Sequence, residues 1–215
     1  DLIDSTEMYL RTVLELEEEG IPALRARLSE RLNLSAPSVS EGVARLEEQG
    51  LLKLAADRTV RLTDTGRDKA LHVMRKHRLA ERLLADVIGL DPAYIHDEAC
   101  RWEHVISDRV EEKIADLLGN PTTSPYGNPI PGAEVDEVQL VPLAEADPGP
   151  VRLHSISESL QRDATVIGEL HANGMLAGEI VDIARDGDTI ELSHGGHRIT
   201  VTPDAARLIY VTTNP

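Results

Sequence analysis

The residues able to do chemistry concentrate in one stretch, His96-Asp97-Glu98-Ala99-Cys100-Arg101-Trp102-Glu103-His104. No Gly or Pro stands between Ala93 and Leu118, so this segment reads as one helix. At about 100° per residue, His96, Cys100, Glu103 and His104 fall near 0°, 40°, −20° and 80° around its axis. Two imidazoles, a carboxylate and the chain's only thiol therefore share one stripe. A lone Cys is ordinarily a small buried hydrophobe, and a lone surface His or Glu carries no meaning. Together they differ, because an apolar core rejects the charged groups and a solvated face has no use for the thiol. Donor types and spacing suit a first-row transition metal. His77 and Glu81, at i and i+4, also share a helix face, although alone they read as a solvated pair.

Several elements must position this stripe. Asp4 with Glu7 three residues on reads as an N-cap and capping box. The helix that follows runs through Met8, Tyr9, Val13 and Leu16 and ends near Glu19-Gly20. Its last turn, Glu17-Glu18-Glu19, has the wrong charge for the helix dipole. Met8, in the first turn, is core filler by default. Leu24, Leu28 and Leu32 share one side of a short helix that Asn33 breaks. Ser35 caps a second helix, Pro37 sits in its first turn, and Gly50 ends it. Two short helices around a tight turn make a helix-turn-helix pattern. Leu51–Leu54, the turn Ala56-Asp57-Arg58 and Thr59–Leu62 then read as a wing with a basic tip. The alternative is a helical hairpin and a β-hairpin used for protein contact.

Thr63-Asp64-Thr65-Gly66-Arg67 opens a long helix extending to Gly89. Leu79, Leu83, Leu84 and Val87, with Ile95 and Ile106, supply apolar surface for a symmetric dimer seam. Gly119-Asn120-Pro121 stops the helical half. Ala133 to Pro150, with five acids, no base and three prolines, is in its later part a linker. From Val151, short strands and tight turns around a helix over Arg162–Ala172 suggest a small barrel.

The net charge of −16 argues against nucleic acid for the chain taken whole. Residues 21–80, however, hold 12 Lys+Arg against 7 Asp+Glu, a local excess that can meet a polyanion. A single Cys excludes an intrachain disulfide and points to a reducing cytoplasm. No signal peptide and no long apolar run is visible, so no membrane span is expected.

Longer blocks carry a resemblance. Asp4-Ser5-Thr6-Glu7-Met8-Tyr9-Leu10-Arg11-Thr12, Leu24-Arg25-Ala26-Arg27, the run Met74–Leu84, His96–His104 and Ser124-Pro125-Tyr126-Gly127-Asn128-Pro129 are similar to signature blocks of the diphtheria toxin repressor and iron-dependent regulator family. The similarity covers nearly the whole chain and is densest over residues 1–132. It implies a mainly α chain with a small all-β C-terminal domain. A winged helix-turn-helix DNA-binding domain is expected over residues 1–71 and a helical metal-binding and dimerisation domain over 72–138. A linker over 139–149 and an SH3-like barrel over 150–215 follow. It also implies a cytoplasmic homodimer that binds palindromic operator DNA as a repressor of iron-uptake genes, and of iron-storage genes as a further class. Fe²⁺ would switch it on, and Co²⁺, Ni²⁺, Zn²⁺, Mn²⁺ or Cd²⁺ would substitute in vitro.

The same resemblance assigns residues. Met8, Cys100, Glu103 and His104 match its primary metal site. His77, Glu81 and His96 match a second site, completed by two barrel residues whose Glu-x-x-Gln spacing Glu158 and Gln161 fit. Arg78, Ser124 and Asn128 match an anion pocket. The residues expected at DNA are Arg25, Arg27, Ser35, Pro37, Ser38, Ser40, Glu41, Arg45 and Arg58. Glu41 and Gly42 depart from the Gln and Thr of close relatives in the recognition helix, and a carboxylate can accept from cytosine but cannot donate to a phosphate. Thioether and thiolate beside Glu and His favour Fe²⁺, Co²⁺, Ni²⁺ and Zn²⁺ over Mn²⁺. A regulator answering to Mn²⁺ or another divalent ion is the alternative. A metalloenzyme is a remote one, since His96-Asp97-Glu98-Ala99-Cys100 resembles a zincin helix but ends in Cys rather than His. In a metal carrier the winged helix would be surplus.

Overall fold

Tyr9, Leu10, Val13, Leu14 and Leu16 recur at helical spacing and are buried along α1, Ser5–Glu18. The computed structural model describes residues 5–136, 138–187 and 189–213. Asp4, expected to cap α1, lies outside them. The acidic last turn of α1 is explained by its neighbours: Arg31 pairs with Glu19, and Arg67 lies 2.5 Å from Glu17. These ion pairs offset the unfavourable dipole, which is worth about 0.3–1 kcal/mol per charge.

α2 (Arg25–Leu32) ends on Asn33, in the left-handed conformation at φ 52°, which Asn tolerates better than most residues. α3 (Ala36–Glu48) starts with the Ser35 hydroxyl accepting from the Ser38 amide at 3.3 Å. β1 (Leu52–Leu54) and β2 (Val60–Leu62) pair antiparallel, with Leu52 opposite Leu62. Leu10, Val13, Leu16, Leu28, Val39, Val43 and Leu46 have no exposed surface. Each such side chain contributes ~1.5–3 kcal/mol over its exposed state, which fixes α1 beneath the reader helices.

α4 spans Asp64–Leu83 and passes into a π-helical turn, Leu84–Ile88, before Gly89. The expected single helix from Ala93 to Leu118 is instead two: α5, Pro92–Trp102, and α6, Asp108–Leu117. Val105 and Ile106 are β-branched and disfavour helix, and Ser107-Asp108 is a helix-start pair. The single-stripe expectation is corrected accordingly. His96 and Cys100 lie on α5, whereas Glu103 and His104 lie in the turn after it. Among the expected seam residues, Leu79, Leu84 and Ile95 are buried within the chain, Leu83 and Ile106 are half-buried, and Val87 is exposed; Ile88, Tyr94, Val110 and Leu117, which lie outside that expectation, are exposed as well. A dimer seam must draw on the exposed set.

The C-terminal part is a six-stranded antiparallel sheet ordered β3-β8-β4-β5-β6-β7. Its strands are β3 (Val141–Pro142), β4 (Gly149–Ile156), β5 (Ile180–Asp186), β6 (Thr189–His194), β7 (His197–Val201) and β8 (Ile209–Thr212). Short helices α7 (Glu158–Gln161), α8 (Ala164–Ala172) and α9 (Pro203–Ala206) connect them. Val151, Leu153, Val181, Ile183, Ile190, Leu192, Ile199, Val201, Ile209 and Val211 alternate into the core with the strand period. β3 falls inside the stretch expected to be linker, with Val141 opposite Val211. Pro142 is tolerated because this strand is at the sheet edge. The described chain forms two compact units, Asp1–His77 with Cys100–Asp108 and Arg78–Ala99 with Arg109–Pro215.

Gly42 on α3 has a physical reason. A Cβ there would stand 2.5 Å from the ring carbon and the hydroxyl of Tyr9, and that hydroxyl donates to the Ser38 carbonyl at 3.3 Å. Gly42→Thr should displace the Tyr9 ring and lower unfolding stability by about 1–2 kcal/mol, read by urea denaturation; an unchanged midpoint would show that the ring moves without cost.

Candidate metal centres

In the first unit the donors gather around Glu103, which is buried. Cys100 comes from the last turn of α5, and Glu103 and His104 from the turn that follows. Arg11 Nη1 donates to both Glu103 oxygens at 2.8 and 2.9 Å and stands 3.2 Å from Cys100 Sγ. His77 Nδ1 lies 2.7 Å from Glu103 Oε2, and His104 Nε2 lies 3.1 Å from Oε1. The other His104 nitrogen is 2.6 Å from Glu7 Oε2. Burial pushes the Glu103 carboxyl up, but Arg11, His104 and His77 outweigh it and hold the group far below the usual carboxylate range. The Glu103 contact raises the His104 pKa above 6.5 against the opposing effect of burial, and Glu7 adds to the rise.

α1 reaches this cluster through Glu7 and Arg11, and Met8 lies between them in sequence. Arg11 thus touches both Cys100 and Glu103, and Glu103 in turn touches His104, with the helix that carries Met8 alongside. Thiolate, carboxylate and imidazole form a donor set that fits a divalent first-row ion.

In the second unit, ligand atoms of Glu81, His96 and Glu158 lie within 4.8 Å of one another. His96 Nδ1 is 3.3 Å from Glu81 Oε1, 3.3 Å from Glu158 Oε2 and 3.1 Å from Gln161 Oε1. The Gln161 amide nitrogen donates to Asn128 Oδ1 and to the Ile156 carbonyl, which turns its oxygen toward His96. Imidazole, two carboxylates and an amide oxygen make a harder set than the first, also suited to a divalent ion. His77 precedes Glu81 by one turn on α4. Arg78 Nε donates to Glu158 Oε1 at 3.0 Å and Nη1 to the Pro129 carbonyl at 2.6 Å. Of the residues expected at an anion pocket, Arg78 is paired with the Glu158 carboxylate, and the Ser124 hydroxyl donates to Asn128 Oδ1 at 3.4 Å.

The expected DNA contacts lie on the reader. Arg25, Arg27, Ser35, Pro37, Ser38, Glu41, Arg45 and Arg58 are exposed, and Ser40 is half-buried with its hydroxyl donating to the Ala36 carbonyl. Arg58 takes φ 66° at the wing tip. Among the described residues, no helix is long and apolar enough to cross a membrane.

A winged helix in one unit with clustered thiol, imidazole and carboxylate donors defines a metal-binding DNA-binding regulator. Three family descriptions match consecutive stretches: "Iron dependent repressor, N-terminal DNA binding domain" over residues 1–60, "Iron dependent repressor, metal binding and dimerisation domain" over 63–132, and the diphtheria toxin repressor SH3 domain over 136–213. The chain belongs to the diphtheria toxin repressor and iron-dependent repressor family. It is 47% identical to the diphtheria toxin repressor of Corynebacterium diphtheriae over 222 residues, covering 98% of each chain. It is 47% identical to the iron-dependent repressor IdeR of Mycobacterium tuberculosis over 215 residues, covering 94% of this chain and 90% of that one. A manganese-dependent transcriptional repressor solved in complex with manganese superposes with a TM-score of 0.83 at 30% identity, covering 96% and 98% of the two chains.

Sequence reasoning missed Arg11, Glu7 and Glu15. The signal was available in the helix spacing, since Arg11 follows Met8 by three residues and Glu15 follows Arg11 by four. If Cys100, Glu103 and His104 hold a metal, its binding would release the thiol proton and the proton that Glu103 and Glu7 favour on His104. Co²⁺ affinity of such a site should therefore weaken as pH falls, from a higher pH than an ordinary imidazole would set, because the His104 pKa is raised. Calorimetric titrations across pH 6–8 read both affinity and proton release; an affinity flat across that window would contradict the assignment.

Proposed function

We propose that the protein is an Fe²⁺-activated transcriptional repressor, a cytoplasmic homodimer that binds palindromic operator DNA and controls iron-uptake genes. It is not an enzyme on this reading. Met8, Cys100, Glu103 and His104 are its primary metal ligands. His77, Glu81, His96, Glu158 and Gln161 form a second site, with Arg78, Ser124 and Asn128 as the anion pocket beside it. The domain division at residues 1–71, 72–138, 139–149 and 150–215 is part of this proposal. The similarity to diphtheria toxin repressors and IdeR proteins over nearly the full chain supports iron as the effector.

One observation carries the mechanism. α1 touches the metal donors through Glu7 and Arg11, and through Tyr9 it touches Ser38 and Gly42 of the recognition helix α3. The same helix therefore meets both ends of the switch within one unit. Met8, Cys100, Glu103 and His104 would hold the metal, which would supply Lewis-acid attraction for their thioether, thiolate, carboxylate and imidazole donors. Met8 can join that set only with the start of α1 in place. Metal then favours the DNA-competent state by its differential affinity, which is all that a ligand can do.

Fluorescence anisotropy of labelled operator DNA, measured anaerobically with and without Fe²⁺, tests this. DNA binding should require metal, and Met8→Ala should raise the half-saturating Fe²⁺ concentration by about tenfold or more while the protein stays a folded dimer. Equal DNA affinity with and without metal would contradict the proposal.

A further inference from the structure

The ligand assignment leaves one buried charge unexplained. Arg11 is 5% exposed and lies between two buried carboxylates, Glu103 and Glu15. Its Nη1 is bonded to both Glu103 oxygens and reaches Cys100 Sγ at 3.2 Å, while its Nε lies 2.7 Å from Glu15 Oε1. A buried guanidinium requires a paired anion, and a bidentate charge-assisted pair is among the strongest available. One of its two anions is a proposed metal ligand, and a second proposed ligand is within contact of the same nitrogen.

We propose that Arg11 is a resident cation of the primary metal site, holding Glu103 and Cys100 in the metal-free protein and competing with the metal for them. The inference rests on Cys100, Glu103 and His104 being that site. The charges account for how the exchange can occur. A divalent ion is neutralised by the Cys100 thiolate and the Glu103 carboxylate without help from Arg11. Glu15 remains to pair the guanidinium once Glu103 has turned to the metal, so no cation is stranded in the interior. Arg11 and Met8 sit three residues apart on α1. Metal therefore exchanges one attachment of that helix, through Arg11, for another, through Met8. The cost of displacing Arg11 is the same for every divalent ion. Arg11 consequently sets a threshold concentration for activation and leaves the ranking of metals to the ligands themselves.

The full-length protein, stripped of metal, is titrated with Co²⁺ and followed by thiolate-to-Co²⁺ absorption, which reports on Cys100 alone because it is the only thiol in the chain. Arg11→Gln should lower the Co²⁺ midpoint by about tenfold or more, since it removes a competing charge from beside the metal. The double variant Arg11→Gln/Glu15→Gln keeps the net charge and leaves no unpaired buried carboxylate at position 15. It should show a similar gain, whereas Arg11→Lys, which retains the charge but not the planar fork that spans Glu103 and Glu15, should show a smaller gain than Arg11→Gln. Mn²⁺ competing for the same band should gain affinity by the same factor as Co²⁺. A double variant that is folded by circular dichroism, with a midpoint unchanged or raised, would overturn the inference, because Arg11 would then organise the ligands rather than compete with the ion. Absence of any thiolate band in the parent protein would overturn the site assignment and this inference with it.

Discussion

A carboxylate removed from water must be paired, and Glu103 is 2% exposed. Its partners are the guanidinium of Arg11 and the imidazoles of His77 and His104. They come from α1, from α4 and from the turn after α5. Satisfying this one group therefore binds three separated stretches of the chain together. The turn that ends α5 at Trp102 is part of the same constraint, because it carries Glu103 and His104 off the helix and into the cluster.

The N-terminal helix is where that constraint becomes function. Its apolar face is fully covered by the reader core, while Glu7 and Arg11 on other sides of the helix meet the metal donors. Tyr9 rests against Gly42, where any side chain would collide with the ring. Under the proposed mechanism, a small displacement of the start of α1 would be felt both at Glu103 and His104 and at α3. Packed interiors transmit displacement of this kind because they have few voids to absorb it. Charge is distributed to match. The base excess of residues 21–80 stands out in an otherwise acidic chain, in which α1 itself is acidic, and it supplies local attraction for a polyanion.

Much of this was legible in the residues alone. Ser35 with Pro37, Asn33 and Gly50 marked the reader helices, because caps and left-handed positions depend on local chemistry that a sequence displays. Period-2 alternation marked β4 to β8, although the short β3 was hidden among prolines and acids. Other features depend on contacts distant in sequence and could not be read. The acids closing α1 looked misplaced until Arg31 and Arg67 were seen beside them. The break between α5 and α6 carries no Gly or Pro, only β-branched residues before a helix-start pair. Leu79, Leu84 and Ile95 had the pattern of a seam but are consumed by the chain's own core. At the metal cluster, the ligand types were visible, whereas the role of Arg11 emerged only from its position between Glu15 and Glu103.

Amide hydrogen exchange along residues 5–12, with and without Co²⁺, measures most directly whether metal acts by fixing the start of α1. Slower exchange there on adding metal, with the core amides of α3 and the C-terminal sheet unchanged, is the result expected if the ligands capture this helix. Equal exchange in both conditions, in a protein whose DNA binding still responds to metal, would contradict the account.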